Sequence, residues 1–86
     1  MFYVYLLRSV KDKKLYIGYS ANLKRRISEH NSSKSRSTKL RRPFELVYYE
    51  AYKAESDARK REAMLKEFSN AYSGLKRRLR ASLAKS

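Results

Sequence analysis

Cysteine is absent from the 86 residues of this chain, and acidic residues are few. Without cysteine the chain can build neither a disulfide framework nor a thiolate zinc site. Any bound metal must therefore use oxygen ligands or His30, the single histidine. Long apolar runs are also missing, since the longest near the start, residues 4–7, leads directly into charge. We accordingly expect neither a signal peptide nor a membrane span, and a reducing compartment.

Positive charge is what the chain has in excess. There are 22 lysines and arginines against 8 aspartates and glutamates, giving a formal charge of +14. Such an excess indicates a polyanionic partner, with nucleic acid as the first expectation. Binding to a membrane surface would require a continuous amphipathic basic helix, which only the C-terminal end approaches. We expect a cytoplasmic, nucleoid-associated protein with DNA as its partner and no membrane.

The length and the residue pattern predict one small α+β domain over residues 1–86. We find no internal repeat and no linker long enough to mark a second domain. Aromatic and β-branched runs predict strands, whereas apolar spacing of three and four residues predicts helices. The expected elements are strands over 2–7 and 15–19, a helix over 21–31, a loop over 31–42, a strand over 44–50, a helix starting near 56 and a basic helix over 72–85.

The two predicted central helices each have a recognisable apolar face. In the first, capped by Ser20, Leu23, Ile27 and His30 share one side, and Arg26 lies at its shoulder. In the second, we expect Ser56 as the cap, with Asp57 in the first turn. Its predicted apolar stripe consists of Ala58, Leu65 and Phe68, with Glu62 displaced from that stripe by roughly 40 to 60°.

Short motifs occur in a fixed order along the chain. Tyr-Val-Tyr at residues 3–5 is followed by Tyr-Ile-Gly at 16–18, by Arg26 and His30 on the first helix, and by Glu62 on the second. In this order the chain resembles the GIY-YIG endonuclease superfamily over roughly residues 2–70. It is most similar to the compact stand-alone bacterial members, and it is similar to the nuclease domain of an excinuclease subunit of nucleotide excision repair. The resemblance implies a three-stranded antiparallel sheet flanked by helices.

The resemblance also implies a role for each motif residue. Tyr16 corresponds to the general base, Arg26 to a catalytic cation, and Glu62 to the ligand of Mg²⁺ or Mn²⁺. Tyr5 would hydrogen-bond the attacking water or Tyr16. These residue types suit phosphodiester hydrolysis, because negative charge develops on oxygens around phosphorus and needs nearby cations. A single carboxylate suits Mg²⁺, which keeps most of its waters.

Two further motif residues have less defined expected roles. His30, one turn after Arg26, would relay a proton or bind phosphate. Gly18 would serve the backbone geometry at a strand end or let the substrate approach closely.

Each of these roles has an alternative explanation in ordinary packing. The tyrosines could pack across a hairpin, and His30 could close the core side of its helix. Glu62 could form ion pairs with the basic residues around it, among them Arg59 and Lys66.

Positive charge outside the motifs falls into two clusters, one in the loop before Pro43 and one in the last helix. Such clusters suit phosphate contacts that do not read bases, whereas the alternative is a solvated surface. The expected contacts are Lys34, Arg36, Lys39, Arg41, Arg42, Lys76, Arg77 and Arg78.

We therefore expect a metal-dependent endonuclease that cleaves DNA in repair or processing, without a small-molecule cofactor. A domain of this size has little surface for reading a long sequence, so we expect preference for structure or for single strands. The alternative is a noncatalytic nucleic-acid-binding module of the same fold. An RNA substrate and a protein partner are further possibilities that the sequence leaves open.

Overall fold

The computed structural model of the protein describes residues 1–32 and 39–84, with Lys39 described by its backbone alone. The described residues form an α+β fold with a three-stranded antiparallel sheet, which confirms the expected class. No helix in these two ranges is long and apolar enough to cross a membrane. The elements are β1 (Phe2–Ser9), β2 (Leu15–Ser20), α1 (Leu23–Asn31), a 3-10 turn (Lys39–Arg41), β3 (Phe44–Tyr52), α2 (Glu55–Glu67), α3 (Ser69–Arg78) and α4 (Arg80–Ala84).

The first strand lies at the centre of the sheet, whose order is β2-β1-β3. Residues 4–9 of β1 are all buried, because helices cover both faces of this strand. On one face Val4 packs in a cluster with Ala58 of α2 and Leu75 of α3. On the other face Tyr5 and Leu7 pack with Phe44, against which Leu23 and Ile27 of α1 lie. The predicted apolar face of the first helix is thereby confirmed.

The start of α1 differs from the prediction. The helix begins at Leu23, and its cap is Asn22, whose side chain accepts a hydrogen bond from the backbone N–H of Arg25 at 3.1 Å. Ser20 is not the cap, because it is still the last residue of β2 and pairs with Tyr3. Its hydroxyl instead bonds the backbone of Asn22 and shapes the turn between the two elements.

The second helix also begins earlier than expected. It starts at Glu55 after Ala54, which provides no side-chain cap, so Ser56 lies inside the first turn. Asp57 is in that turn, as predicted. The expected stripe is wrong at its last member, because Phe68 has left the helical conformation and its residue surface is 58% exposed.

The single basic helix predicted over 72–85 is two helices in the structure. The chain turns at Leu79, whose N–H is shared by the carbonyls of Leu75 and Lys76. This turn places the carbonyl of Leu83 at 2.8 Å from the guanidinium of Arg8. Arg8 also pairs with Glu45 at 2.9 Å, so one buried arginine connects β1, β3 and α4. This connection is a tertiary interaction, which local helical periodicity does not contain.

The carboxylate of Glu50, between the sheet and α2, fixes the orientation of that helix. Glu50 of β3 receives two parallel hydrogen bonds from Arg61, at 3.0 and 3.1 Å, and further ones from the hydroxyls of Tyr48 and Tyr52. Burial by itself raises the pKa of Glu50, but these hydrogen bonds outweigh it and hold the pKa below the ordinary value. Because Arg61 precedes Glu62, this pair also sets the rotation of the helix that bears Glu62.

We predict that Glu50→Gln lowers the free energy of unfolding by about 2 kcal/mol, because it leaves the Arg61 guanidinium only partly compensated in a mostly buried position. The matched control is Glu67→Gln, an exposed carboxylate near the end of α2. It should change stability by less than about 0.5 kcal/mol. Urea denaturation of both variants at neutral pH measures the difference. Equal effects of the two substitutions would contradict a structural role for the Glu50–Arg61 pair.

Candidate active site

The hydroxyl of Tyr5 is the point around which the predicted site residues gather. Tyr5 lies in the middle of the central strand, is 1% exposed, and is 2.8 Å from Nε2 of His30. The Arg26 guanidinium lies beside the same hydroxyl, and Tyr16 and Glu62 are near enough to interact electrostatically with it. The helices α1 and α2 and the strands β1 and β2 therefore bring all five side chains to one place.

Burial controls the protonation of the Tyr5–His30 pair. It raises the pKa of Tyr5 to about 12, although Arg26 opposes the shift. Burial, together with the positive charge of Arg26, lowers the pKa of His30 to about 4. Both groups are therefore neutral at physiological pH. Since a guanidinium can only donate, the Tyr5 oxygen faces Arg26 with its lone pairs, which favours donation of its own proton to Nε2 of His30.

This geometry changes two of the expected roles. Tyr5 was expected to bond the attacking water or Tyr16, but its partner is His30. His30 was expected to relay a proton or bind phosphate, and its side chain is completely buried. A fully buried imidazole cannot touch a phosphate of the substrate, so a relay through Tyr5 and support of the core are the roles that agree with the structure.

Gly18 makes room for the ring of Tyr5. The two residues are cross-strand partners, and a Cβ atom on Gly18 would stand 2.2 Å from Oη and 2.3 Å from Cζ of Tyr5. The expected roles at a strand end or in substrate approach do not agree with this position, because β2 continues to Ser20 and the space above Gly18 is filled by the ring. Only glycine allows the buried phenol to lie flat over β2.

Tyr16 stands in an aromatic group at the edge of the site. Its ring centroid is 5.0 Å from that of His30 and 6.4 Å from that of Phe44. The residue is partly exposed, and within residues 1–32 and 39–84 its hydroxyl has no hydrogen-bond partner. A groove of about 310 Å³ runs past it, between β2 and the residues Leu65, Lys66 and Tyr72. The Tyr16 hydroxyl is therefore available to a molecule that enters this groove.

Arg26 is a fixed and partly exposed cation. Its Nη1 donates to Oε1 of Glu29 at 3.0 Å, one helical turn further on, and one third of its side chain is exposed. Partial burial opposes protonation, but the contacts with Glu29 and Tyr5 prevail and raise the pKa of Arg26. A guanidinium has five N–H groups, so donors remain for a phosphate after these contacts are made.

Glu62 lies on α2, close enough to the Tyr5 hydroxyl to interact electrostatically with it. Its side chain is 21% exposed and is paired with Nζ of Lys66 at 3.0 Å. The described residues contain no group of three or more His, Cys, Asp or Glu side chains that could hold a metal ion. A single carboxylate is an oxygen ligand, which fits Mg²⁺ or Mn²⁺ held for the rest by water and substrate phosphate. It does not fit a zinc site, which requires three or four protein ligands.

Comparison with models of known protein families gives a match to the GIY-YIG catalytic domain over residues 1–79. This chain belongs to the GIY-YIG family. The family supports a nuclease-type function with DNA as substrate, and its nucleases are generally metal-dependent.

The relatives are small bacterial GIY-YIG proteins. UPF0213 protein SH2523 of Staphylococcus haemolyticus is 46% identical over 68 residues, which cover 78% of this chain and 82% of the relative. A UPF0213 protein of Syntrophus aciditrophicus is 45% identical over 71 residues, which cover 80% of each chain. The solution NMR structure of UPF0213 protein BH0048 from Bacillus halodurans has 31% identity and a TM-score of 0.57, covering 99% of this chain and 95% of that one.

The predicted phosphate contacts of this GIY-YIG domain divide into three groups. Lys34 and Arg36 lie outside the described residues, and of Lys39 only the backbone is described. Arg41 is engaged within the protein: it pairs with Asp12 at 3.0 Å and lies over the ring of Phe44. The remaining four are exposed, namely Arg42, Lys76, Arg77 and Arg78, although the ammonium of Lys76 lies 4.4 Å from the Tyr72 ring centroid.

Two neighbours of the GIY-YIG site, Glu29 and Phe44, were not among the predicted residues, whereas a third, Lys66, was expected as an ion-pair partner in the alternative explanation for Glu62. Glu29 holds Arg26, Lys66 holds Glu62, and Phe44 packs against both Tyr16 and His30. The first two stand three and four residues from their partners on a helix, a spacing that predicts such pairs. Phe44 has no comparable signal, because its position depends on pairing between β1 and β3.

We predict that Gly18→Ala destabilises the protein by about 3 kcal/mol, since the added methyl group overlaps a buried ring that cannot move away. The control is Gly74→Ala in α3, where a Cβ meets nothing within 4 Å. That change should raise stability by about 0.5 to 1 kcal/mol. In a Tyr5→Leu background, which removes the clashing atoms, Gly18→Ala should cost clearly less. Thermal and urea unfolding measure the parent protein and these four variants, and an undiminished cost in that background would contradict the steric explanation.

We also predict a pH dependence that comes from His30. The unfolded state takes up a proton near the ordinary value of 6.5, whereas the folded state resists protonation down to about 4. Between these values the unfolded state binds more protons, so the free energy of unfolding should fall as the pH drops. His30→Asn should reduce the difference between urea unfolding at about pH 7 and at about pH 5. An unchanged difference would show that other groups cause the acid sensitivity.

Proposed function

We propose that this GIY-YIG domain, acting as a single domain over residues 1–86, is a metal-dependent endonuclease that hydrolyses DNA phosphodiester bonds. The observation that supports it best is the gathering of Tyr16, Arg26 and Glu62 around the buried hydroxyl of Tyr5, in a chain with a formal charge of +14. A nucleophile activator, a cation and a carboxylate that can hold a metal ion are groups that suit metal-dependent phosphodiester hydrolysis. In the cell we place this activity in DNA repair or processing, in the cytoplasm at the nucleoid.

In this proposal Tyr16 accepts the proton of the attacking water. Its hydroxyl is directed toward no described protein group and borders a groove, so a water molecule can reach it. A phenol is a weak base near neutral pH unless cations favour its ionised form. Lys66 lines the same groove, and Arg26 is close enough to Tyr16 for the two side chains to interact electrostatically.

Arg26 stabilises the negative charge that develops on the phosphoryl oxygens. Its contacts with Glu29 and Tyr5 hold the guanidinium in place before the substrate arrives, which reduces the reorganisation needed during reaction. His30 acts through Tyr5, because it fixes the orientation of the hydroxyl beside Arg26.

Glu62 is the residue that would hold Mg²⁺ or Mn²⁺. When bound, the ion supplies positive charge to the oxygens at the scissile phosphate and lowers the pKa of water. The ammonium group of Lys66 is paired with the Glu62 carboxylate at 3.0 Å, so this ammonium group must move away for an ion to bind the carboxylate. Its exposed side chain can do so at small cost, since i,i+4 pairs on helix surfaces contribute about 0.3 to 0.5 kcal/mol.

The exposed basic residues give affinity without reading sequence. Arg42, Lys76, Arg77 and Arg78 are accessible to phosphates, and we retain Lys34, Arg36 and Lys39 as further candidates. Arg41 would have to leave Asp12 before it could bind a phosphate. Contacts of this kind favour substrates by shape, in agreement with a preference for single-stranded or structured DNA.

The second candidate function is a noncatalytic nucleic-acid-binding module. The observation that favours it is the Glu62–Lys66 pair, since a carboxylate already neutralised by its neighbour resembles an ordinary helix-surface ion pair.

Cleavage assays distinguish the two functions. Purified protein is incubated with labelled single-stranded, flapped and duplex DNA and with RNA, in Mg²⁺, in Mn²⁺ and in a chelator. We expect cleavage of single-stranded or flapped DNA that stops when the metal is removed. Binding without cleavage under every condition would support the noncatalytic module, whereas cleavage of RNA alone would change the substrate class.

Variants of the two charged residues test the assigned roles. Arg26→Ala should lower the cleavage rate by about 10² to 10³, the usual cost of losing one charge-stabilising donor. Arg25→Ala is the matched control, because Arg25 is next to Arg26 in the sequence and its own side chain is 71% exposed. Glu62→Gln should abolish cleavage while binding remains, and Glu67→Gln should leave both unchanged. If Arg25→Ala were as harmful as Arg26→Ala, the catalytic cation would be wrongly assigned.

Tyr16→Phe tests the general base. The ring still packs against His30 and Phe44, so the melting temperature should change little while the cleavage rate falls strongly. Activity that survives in Tyr16→Phe would move the base to another group.

A further inference from the structure

A second groove, of about 450 Å³, lies between α1 and β3. It is lined by Tyr3, Tyr49 and Leu46 from the sheet and by Asn22, Lys24 and Ile27 from the helix side. Its volume is within the range of small-molecule binding sites, roughly 300 to 1,000 Å³. Its lining includes none of the predicted catalytic or metal-binding residues Tyr5, Tyr16, Arg26, His30 and Glu62. The groove is therefore separate from the proposed cleavage site but shares one helix with it.

The floor of this groove is an exposed aromatic pair. The rings of Tyr3 and Tyr49 meet edge to face, with centroids 5.9 Å apart, and Tyr49 is 51% exposed. In the described part of the chain neither hydroxyl has a hydrogen-bond partner, whereas Tyr19, Tyr48 and Tyr52 each bond a carboxylate. Tyr49 thus presents its ring to solvent without a polar contact that would explain its place there.

The position of the groove relates it to the cleavage site. Tyr49 is the cross-strand partner of Tyr5 on β3, so the two side chains stand on the same face of the sheet, with their strands roughly 5 Å apart. Ile27 lines the groove, and the preceding residue, Arg26, reaches the Tyr5 hydroxyl. Arg26 and Tyr49 therefore lie on the same side of the sheet, the side on which α1 packs.

The charge of the groove selects the kind of occupant. Lys24 lines it, and no carboxylate is among the described lining residues. An apolar, aromatic floor with a cationic rim complements a ligand with flat apolar faces and an anionic backbone. Unpaired nucleotides have both properties.

We propose that the groove between α1 and β3 binds an unstacked nucleobase of single-stranded DNA, with Tyr49 as the stacking ring and Lys24 on the adjacent phosphate. The proposal rests on the proposed function, because it identifies what holds the strand beside the cleavage site. Bases in a duplex are stacked on each other and cannot enter, so the groove favours single-stranded over duplex DNA. Stacking does not distinguish bases strongly, so no sequence preference follows.

The test measures binding and does not depend on cleavage. A Glu62→Gln protein is titrated with a fluorescent oligothymidine of roughly 12 nucleotides and with a duplex of the same length, and anisotropy gives the dissociation constants. Tyr49→Thr should weaken single-strand binding by about tenfold or more while duplex binding changes less than about twofold. Threonine keeps the strand propensity at this half-exposed position, so folding should persist. Tyr49→Phe should bind like the parent protein, since it keeps the ring.

Two further measurements complete the test. Phe68→Ala removes an equally exposed aromatic ring from the end of α2 and should leave both affinities unchanged. Tyr3→Leu should weaken single-strand binding in the same direction as Tyr49→Thr, which provides a second variant if the first does not fold. An unchanged single-strand affinity in both groove variants, or equal losses for single strand and duplex, would overturn the proposal. So would a dimer in sedimentation that Tyr49→Thr dissociates without any effect on binding, because the groove would then be a contact between copies.

The two proposals fail in different ways. If no nucleic acid is cleaved but Tyr49→Thr still loses single-strand binding, the groove assignment stands and the catalytic proposal does not. If cleavage occurs and the groove variants bind single strands normally, the catalytic proposal stands and the groove assignment does not.

Discussion

The packing of the Tyr5 ring, from the central strand, over Gly18 of the neighbouring strand β2 is the constraint on which the site depends. Because the ring fills the space above β2, its hydroxyl can lie only where α1 passes over the sheet, and there it meets His30 and Arg26. The position of the proposed catalytic arginine is thus determined by packing in the core. A small domain with one modest core obtains a rigid site in this way without additional layers of structure.

Each face of the sheet positions one of the two helices that carry the proposed site residues. One face, with Leu7, Phe44 and Ile27, fixes α1 and hence Arg26. On the other face the Glu50–Arg61 pair fixes α2 and hence Glu62. The helix α1 is therefore held by apolar contacts, whereas α2 is held by this charged pair in addition to the apolar packing of Ala58 and Leu65. All three strands contribute to both clusters, and β1 supplies buried residues to each of them.

The strands, the apolar face of α1 and the family were all predictable from the sequence, because period-two and helical spacing are local signals and the motifs are contiguous. The features that were not predicted depend on tertiary contacts. The cap at Asn22 follows from the length of β2, the break at Leu79 accompanies the contact between Arg8 and Leu83, and the engagement of Arg41 requires Asp12 from a distant turn. The role of Gly18 likewise appears only when two strands are paired in register.

The neutral Tyr5–His30 pair has a consequence for how the site responds to its surroundings. One member would lose its proton only at about pH 12, and the other would gain one only at about pH 4. Across the interval between these values the centre of the site keeps a constant charge, so the electric field that Arg26 experiences from this pair does not vary. The buried pair therefore adds no titration of its own in this interval, and any pH sensitivity of the proposed reaction comes from other groups.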